Sequence, residues 1–218
     1  MDLLHPLLVC RGVEHGFGTR VPDRDGGRSP EVVTLSQVHK TAVLDEKDSK
    51  SGSPPPAGDG VYSGPGGRHI GVWTADCMPV LLASPSGEHV AALHAGWRGA
   101  AAGIIREGVR HLSRKGGCLP REILAVMGPS IGPCCYEVGP DVWSAVAEGT
   151  PEYRPRATRT FDIRELISFQ LEMAGLSPEN VGSLPLCTRC HSELFYSHRG
   201  MGSDRKGRSM LNHIRPRS

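Results

Sequence analysis

The sequence predicts a layered, mixed α/β (α+β) fold whose sheet strands feed one pocket from one end. Three observations carry that reading. Apolar runs of strand length, HIGVW, HVAAL and ILAVM, stop abruptly at Asp, Cys, His or Gly. Ala100 to Leu112 sets Ile104, Ile105, Val109 and Leu112 at helical spacing, with Arg106, Glu107 and Arg110 between them. The 28 glycines and 18 prolines, against 5% aromatics, call for many turns rather than long helices. A chain of 218 residues suffices for one substantial core, and no composition break divides it, so a single domain over residues 1–218 is expected.

Taken in order, LLV followed by HGFGTR reads as a strand from Leu7 entering a glycine-bearing loop that ends at Arg20. Arg20 is a candidate anion ligand, because guanidinium offers phosphate a planar fork. Pro22 to Pro30, charged and glycine-rich, is expected to be a loop. Val32–Val38 and Ala42–Leu44 look like paired strands about a tight polar turn holding His39, next to Gln37 and Lys40. Residues 46–58 are polar and proline-rich without periodicity, and an exposed, flexible loop is expected there.

HIGVW then runs into Thr74, Asp76 and Cys77, and HVAAL into His94, Gly96, Trp97 and Arg98. Two such strand ends bring Cys77 and His94 together, and the run VVTLSQVHK places His39 beside them. Gly96 to Gly99 opens the following helix, whose first N–H groups are a candidate anion site near His94 and Arg98. Ile123–Met127 is a short strand leading into GPSIGPCCYEVG, a loop over the pocket. Pro140–Ala147 and Ile163–Ala174 read as helices, the second capped by Asp162 with Glu165 three residues on. Val181–Leu186 resembles a further strand. The basic stretch Arg205–Arg217 reads as a solvated tail or terminal strand.

Cysteine and histidine ligate zinc or copper, and three protein ligands leave one position open, as in catalytic metal sites. His39, Cys77 and His94 are the candidate set. Their ordinary roles compete with it: a lone Cys in an apolar strand is a small buried hydrophobe, and the three lie in separate segments without the compactness of paired CxxC motifs. Adjacent Cys134 and Cys135 chelate one ion poorly, which favours loop packing. CTRCH, Cys187 to His191, formally matches a haem-attachment motif, but that chemistry belongs to exported chains. Cys187 and Cys190 could form half of a structural zinc site, yet no second CxxC exists.

Lys and Arg exceed Asp and Glu by only two, too even a balance for a nucleic-acid surface. MDLLHPLLVCRG lacks a basic n-region and breaks its apolar run at His5 and Pro6, a poor secretion signal. No stretch approaches the roughly 18 apolar residues of a membrane span. Seven scattered cysteines, an odd count, argue against a disulfide framework. A cytoplasmic, monomeric protein with reduced thiols, binding neither nucleic acid nor membrane, is the expectation.

HGFGTR, LSQVHK, GDGVYS, WTADCMPVLL, ALHAGWRG, GPSIGPCCYEVG and CTRCHSELFYSHRG, in this order from about His15 to Arg199, resemble the YfiH-like laccase-domain family. That family is also called multicopper polyphenol oxidase and is described as purine nucleoside phosphorylases. The resemblance implies a layered sandwich of mixed β-sheets flanked by helices, similar to a bacterial toxin deamidase. It implies a metal, usually zinc, on His39, Cys77 and His94, with Arg20, Gln37 and Arg199 bordering the substrate. The family commonly continues past SHR with a second Arg and a TGR triplet. Gly200 and KGR stand here instead.

A multicopper oxidase needs paired His-x-His motifs, and the sequence has none. A two-His, one-Cys set nevertheless suits copper as well as zinc; zinc is preferred because an open position suits hydrolytic or transfer chemistry. Metal-activated water would suit adenosine deamination, although the deaminase signature H-x-E…P-C-x-x-C is absent in that order. Phosphorolysis needs phosphate held at ribose C1′ and a proton for the departing purine. Arg20, Arg98 and Arg199 are the phosphate candidates. Asp76 is the candidate acid, base or ribose ligand, or else the partner orienting a metal-bound His. The implied activity is phosphorolysis of adenosine, inosine or methylthioadenosine. Two alternatives remain: a Cys77–His94 hydrolase acting on peptide or peptidoglycan-type substrates, and a copper oxidase or non-enzymatic metal-binding protein.

Overall fold

The computed structural model describes residues 2–20, 32–50, 53–155, 159–205 and 207–218; the loop expected over Pro22–Pro30 lies outside them. The elements are β1 (Asp2–Leu3), α1 (Pro6–Val9), β2 (His15–Gly18), β3 (Val32–Val33), β4 (Val43–Asp45), β5 (Gly60–Ser63), β6 (His69–Thr74), β7 (Met78–Ala83), β8 (Val90–Ala95), α2 (Trp97–Ala102), α3 (Ile104–Gly116), β9 (Leu124–Met127), α4 (Pro140–Gly149), α5 (Ile163–Met173), β10 (Val181–Ser183), α6 (His198–Met201) and β11 (Met210–Ile214). They build two mixed sheets. The first has the order β1-β2-β11-β6-β3, antiparallel except where β3 runs parallel to β6; the second has the order β10-β9-β7-β8-β5-β4, with parallel pairs at both edges.

The apolar runs are continuous because the second sheet is covered on both faces. Strand alternation divides them. Val80, Leu82, Ala91, Leu93, Ala125 and Met127 face a core shared with α3 and α5, built on Ile104, Ile105, Val109, Leu112, Leu166 and Leu171. Leu81, Ala83, Val90, Ala92, Leu124 and Val126 face the first sheet and meet Phe17, Ile70, Val72 and Ile214. The mixed α+β sandwich with flanking helices is therefore as the sequence implied. Asp162 caps α5, its carboxylate accepting the N–H groups of Arg164 and Glu165.

Local expectations failed where tertiary partners decide. Leu7–Val9 is helical, started by Pro6 at its first turn and by the His5 ring accepting the Leu7 N–H. Val32–Val38 and Ala42–Leu44 do not pair with each other: β3 joins β6 in the first sheet and β4 joins β5 in the second, so the segment carrying His39 crosses between sheets. The single helix expected from Ala100 is two, because Gly103 takes φ 98° and closes α2 before α3 begins. Residues 46–58 are not uniformly exposed, as Glu46 is 4% exposed and accepts the Arg68 guanidinium at 2.6 Å. Of the two readings of Arg205–Arg217, tail or terminal strand, the strand holds: it contains β11, which lies in the middle of the first sheet. Among the described residues no helix is long and apolar enough to cross a membrane.

Candidate metal centre and active-site cleft

Two chain crossings and a strand end meet at one end of the sandwich. Residues 34–42 pass from β3 to β4, and Ala75, Asp76 and Cys77 pass from β6 in one sheet to β7 in the other. β8 ends beside them with His94. The metal-binding atoms of His39, Cys77 and His94 all lie within 4.8 Å of one another. Cys77 Sγ is 3.9 Å from His39 Nε2, and the two imidazoles stand edge to face with centroids 4.8 Å apart. Two imidazole nitrogens and one thiol converging on a common point suit zinc or copper.

Asp59 organises this trio, and sequence reading gave it no role. Its side chain is fully buried. One carboxylate oxygen accepts His94 Nδ1 at 2.8 Å, leaving Nε2 to face the centre, and the same carboxylate accepts the backbone N–H groups of Val38, His39 and Lys40 at 2.8–3.1 Å. A buried carboxylate that fixes a ligand's tautomer is the usual support of a metal site. Its bonds also hold His39 at φ 58°, and Asp76 stands at φ 89°; these are the non-glycine positive-φ residues among those described. Such strain costs on the order of 1–3 kcal/mol per residue and gathers at functional sites. Gly96 completes the floor: a Cβ there would lie 2.9 Å from Cys77 Sγ and 3.1 Å from His39 Cδ2.

The electrostatics follow. Burial pushes the Cys77 thiol up, but hydrogen bonding and charge from His39 and His94 outweigh it and bring the pKa down to about 6. Burial lowers His94, and Asp59 and Cys77 together outweigh it, raising the ring to about 9. Burial raises Asp59, and the bond from His94 with the three backbone amides more than reverses this. Without a metal, Cys77 and His94 thus form a thiolate–imidazolium pair.

These residues floor a cleft of about 750 Å³ walled by Trp73, Trp97, Tyr136 and Val142, with Arg98 and Arg199 exposed on its rim. Arg98 stacks over the Trp97 ring at 4.2 Å. Arg199 lies 5.4 Å over Tyr136 and donates to Glu137 O at 3.1 Å. Asp76 is buried, its two oxygens accepting the Thr188 hydroxyl at 2.6 Å and the Arg199 N–H at 2.7 Å; the carboxylate that meets a histidine of the trio is Asp59, so the orienting role considered for Asp76 falls to it. Gln37 lines the cleft with its amide bonded both ways to the Trp73 peptide at 2.8 Å, which pins the end of β6. Arg20 is not among the lining residues: it donates to Ser192 O and lies over Tyr196. α2, which opens after Gly96, spans six residues, Trp97–Ala102. Tyr136 and Thr188 entered the sequence reading only within loops taken to border the pocket, Thr188 through the family resemblance, because nothing local marks a Tyr or Thr that a tertiary contact turns inward.

The model of the multi-copper polyphenol oxidoreductase laccase family matches residues 20–214. A purine nucleoside phosphorylase of Shigella flexneri named YfiH is 35% identical over 80% of this chain and 70% of its own length. YlmD of Geobacillus stearothermophilus, also named a purine nucleoside phosphorylase, is 34% identical over 66% of this chain. The match covers 55% of YlmD and, at 32% identity, 35% of the human phosphorylase LACC1, so the aligned part of the chain spans about a third to just over half of those relatives. The crystal structure of the Geobacillus YlmD superposes with TM-score 0.81 at 26% identity over 98% of this chain and 94% of that one. A YfiH structure from Bacillus licheniformis gives 0.78 at 25% identity over 94% and 93%.

Proposed function

Since the chain belongs to the multi-copper polyphenol oxidoreductase laccase family, we propose that it is a metal-dependent purine nucleoside phosphorylase acting on inosine, adenosine or methylthioadenosine. The observation that carries this reading is the convergence of His39, Cys77 and His94 on the floor of a cleft with two arginines on its rim. Relatives named purine nucleoside phosphorylase support the same chemistry.

His39, Cys77 and His94 would hold a zinc ion, with copper as the alternative, and the metal would supply a Lewis acid. The chain's own residues do the rest. Trp97 and Tyr136 offer aromatic faces for a purine, and the cleft is large enough for a nucleoside with phosphate. Asp76 already accepts two hydrogen bonds, one on each carboxylate oxygen, and has acceptor capacity left for a third from a ribose hydroxyl. Arg98 and Arg199 hold phosphate so that one oxygen attacks C1′ as the N9–C1′ bond breaks. The electron pair leaves with the purine, which takes up the proton given off by the attacking hydrogen phosphate to become the free base, and the second product is ribose 1-phosphate, or its 5-methylthio analogue from methylthioadenosine. Deamination of adenosine in the same cleft is the finer reading that needs its own assay.

The assay is phosphate-dependent release of hypoxanthine from inosine. Activity that a chelator removes and zinc restores is expected, and Arg98→Ala should raise the phosphate requirement more than that for nucleoside. No phosphate-dependent release would sink the reading. A Cys–His hydrolase remains as a second reading because Cys77, His94 and Asp59 also have the order nucleophile, base and orienting carboxylate. It predicts chelator-insensitive turnover of an amide, abolished by alkylating Cys77.

A further inference from the structure

Cys134, Cys135, Cys187 and Cys190 lie outside the cleft's chemistry, and their sulfurs come within 4.8 Å of one another. Cys190 lies 55 and 56 residues from Cys135 and Cys134 in sequence, and each half alone is an incomplete ligand set. An isolated parallel bridge, Ser130 with Cys187, joins their loops, with Thr188 N–H donating to Ser130 O at 3.0 Å. A turn from Gly132 to Cys135, closed by a 3.0 Å bond, then folds both adjacent cysteines toward the same partner. Cys190 Sγ is 3.5 Å from Cys134 Sγ and 3.4 Å from Cys135 Sγ. The objection that adjacent cysteines chelate one ion poorly holds for extended chain and lapses in a turn.

We propose that these four cysteines form a second metal site, a tetrahedral zinc–thiolate centre that staples together the two loops bordering the cleft. Zn–S bonds of about 2.3 Å set sulfurs about 3.8 Å apart in a tetrahedron, and the sulfurs here are already near that spacing. Cys187 Sγ accepts the Gly132 N–H at 3.3 Å, and the Arg189 and Cys190 amides also point at it. Amides from two and three residues on, together with one from the opposite loop, give a sulfur the surroundings of a coordinated thiolate and offset the charge of four thiolates on one ion. Each thiol yields its proton to solvent on binding. The staple has a purpose in the fold: one loop carries Tyr136, and the other carries Thr188 and leads into α6 with Arg199, so that Thr188 and Arg199 grip Asp76. A disulfide between Cys190 and either neighbour is the competing use of the same sulfurs.

The test uses the full chain in three forms, each loaded with Zn2+ or Co2+ and weighed by native mass spectrometry. The unaltered protein should hold two ions. The His39→Ala/Cys77→Ser protein, in which the cleft site is silenced, should keep one, and its cobalt form should show the visible absorption of tetrahedral thiolate-bound cobalt. Cys190→Ser, a change at an exposed position, should also hold one, in the cleft, and lose that absorption. The proposal is overturned if the double variant retains no ion, if Cys190→Ser keeps two, or if the reduced chain returns to a Cys190 disulfide in preference to binding zinc. None of these outcomes depends on nucleoside turnover, so the phosphorylase reading can fail separately.

Discussion

Asp59 is the residue on which the cleft site turns, because a single carboxylate fixes the tautomer of His94 and the backbone on both sides of His39. Asp59→Asn keeps the size but loses the charge that the ring and three amides face. Metal affinity should fall about 10- to 100-fold in a chelator competition; an unchanged affinity would remove Asp59 from this role. Cys77 and His94 give a pH prediction. His94, raised from 6.5 to about 9, adds stability that is full below 6.5 and lost as pH rises through 9. Cys77, lowered from 9.0 to about 6, adds stability that is full above 9 and lost as pH falls through 6. The metal-free protein should therefore exceed Cys77→Ser in Tm above about pH 6, with the gap closing as pH falls through 6. A gap independent of pH would deny the ion pair. The three candidate ligands stood out in the sequence because each follows an apolar run that ends abruptly, but the family resemblance, not their spacing, joined them into one site. Asp59 was not: in GDG it looks like any turn aspartate, and only the fold shows where its oxygens point.

At the scale of elements, glycines decide what the periodicity left open. Helical spacing from Ala100 to Leu112 was legible, but the break at Gly103 was not, since a glycine inside a helical pattern does not announce its φ. Gly103→Ala puts a Cβ on a residue at φ 98° and within 3.0 Å of the Arg106 guanidinium, and it should cost about 1–2 kcal/mol by denaturant unfolding. A neutral result would mean that the α2–α3 junction adopts another geometry. Gly96→Ala acts at the other end of α2 by pushing into Cys77 and His39. It should lower metal occupancy in the cleft while leaving the melting temperature of the metal-free protein within a few degrees, read from metal content and thermal scans together. The supposed pairing around His39 failed for a related reason: hydrophobic runs show that a strand exists, and only the partner decides its sheet.

Across the whole molecule, two cores back to back hold the central sheet rigid, so that the crossings between sheets can present strained, polar residues at one end. Phe17, fully buried between the sheets with its ring against Gly128, belongs to this support. Phe17→Ala should cost about 3–5 kcal/mol without changing which residues bind metal, as measured by denaturant unfolding beside metal content at low temperature. Layering and strand content were legible because both faces of β7 and β8 are apolar; the meeting of the four cysteines was not, because it is a tertiary event across two loops. The most direct test of the central claim is an anomalous difference map at the zinc edge from crystals of the zinc-loaded protein. The account predicts a peak at about 2.0–2.3 Å from one ring nitrogen each of His39 and His94 and from Cys77 Sγ. A map with no peak among those three atoms, in protein that still cleaves inosine with phosphate, would contradict it.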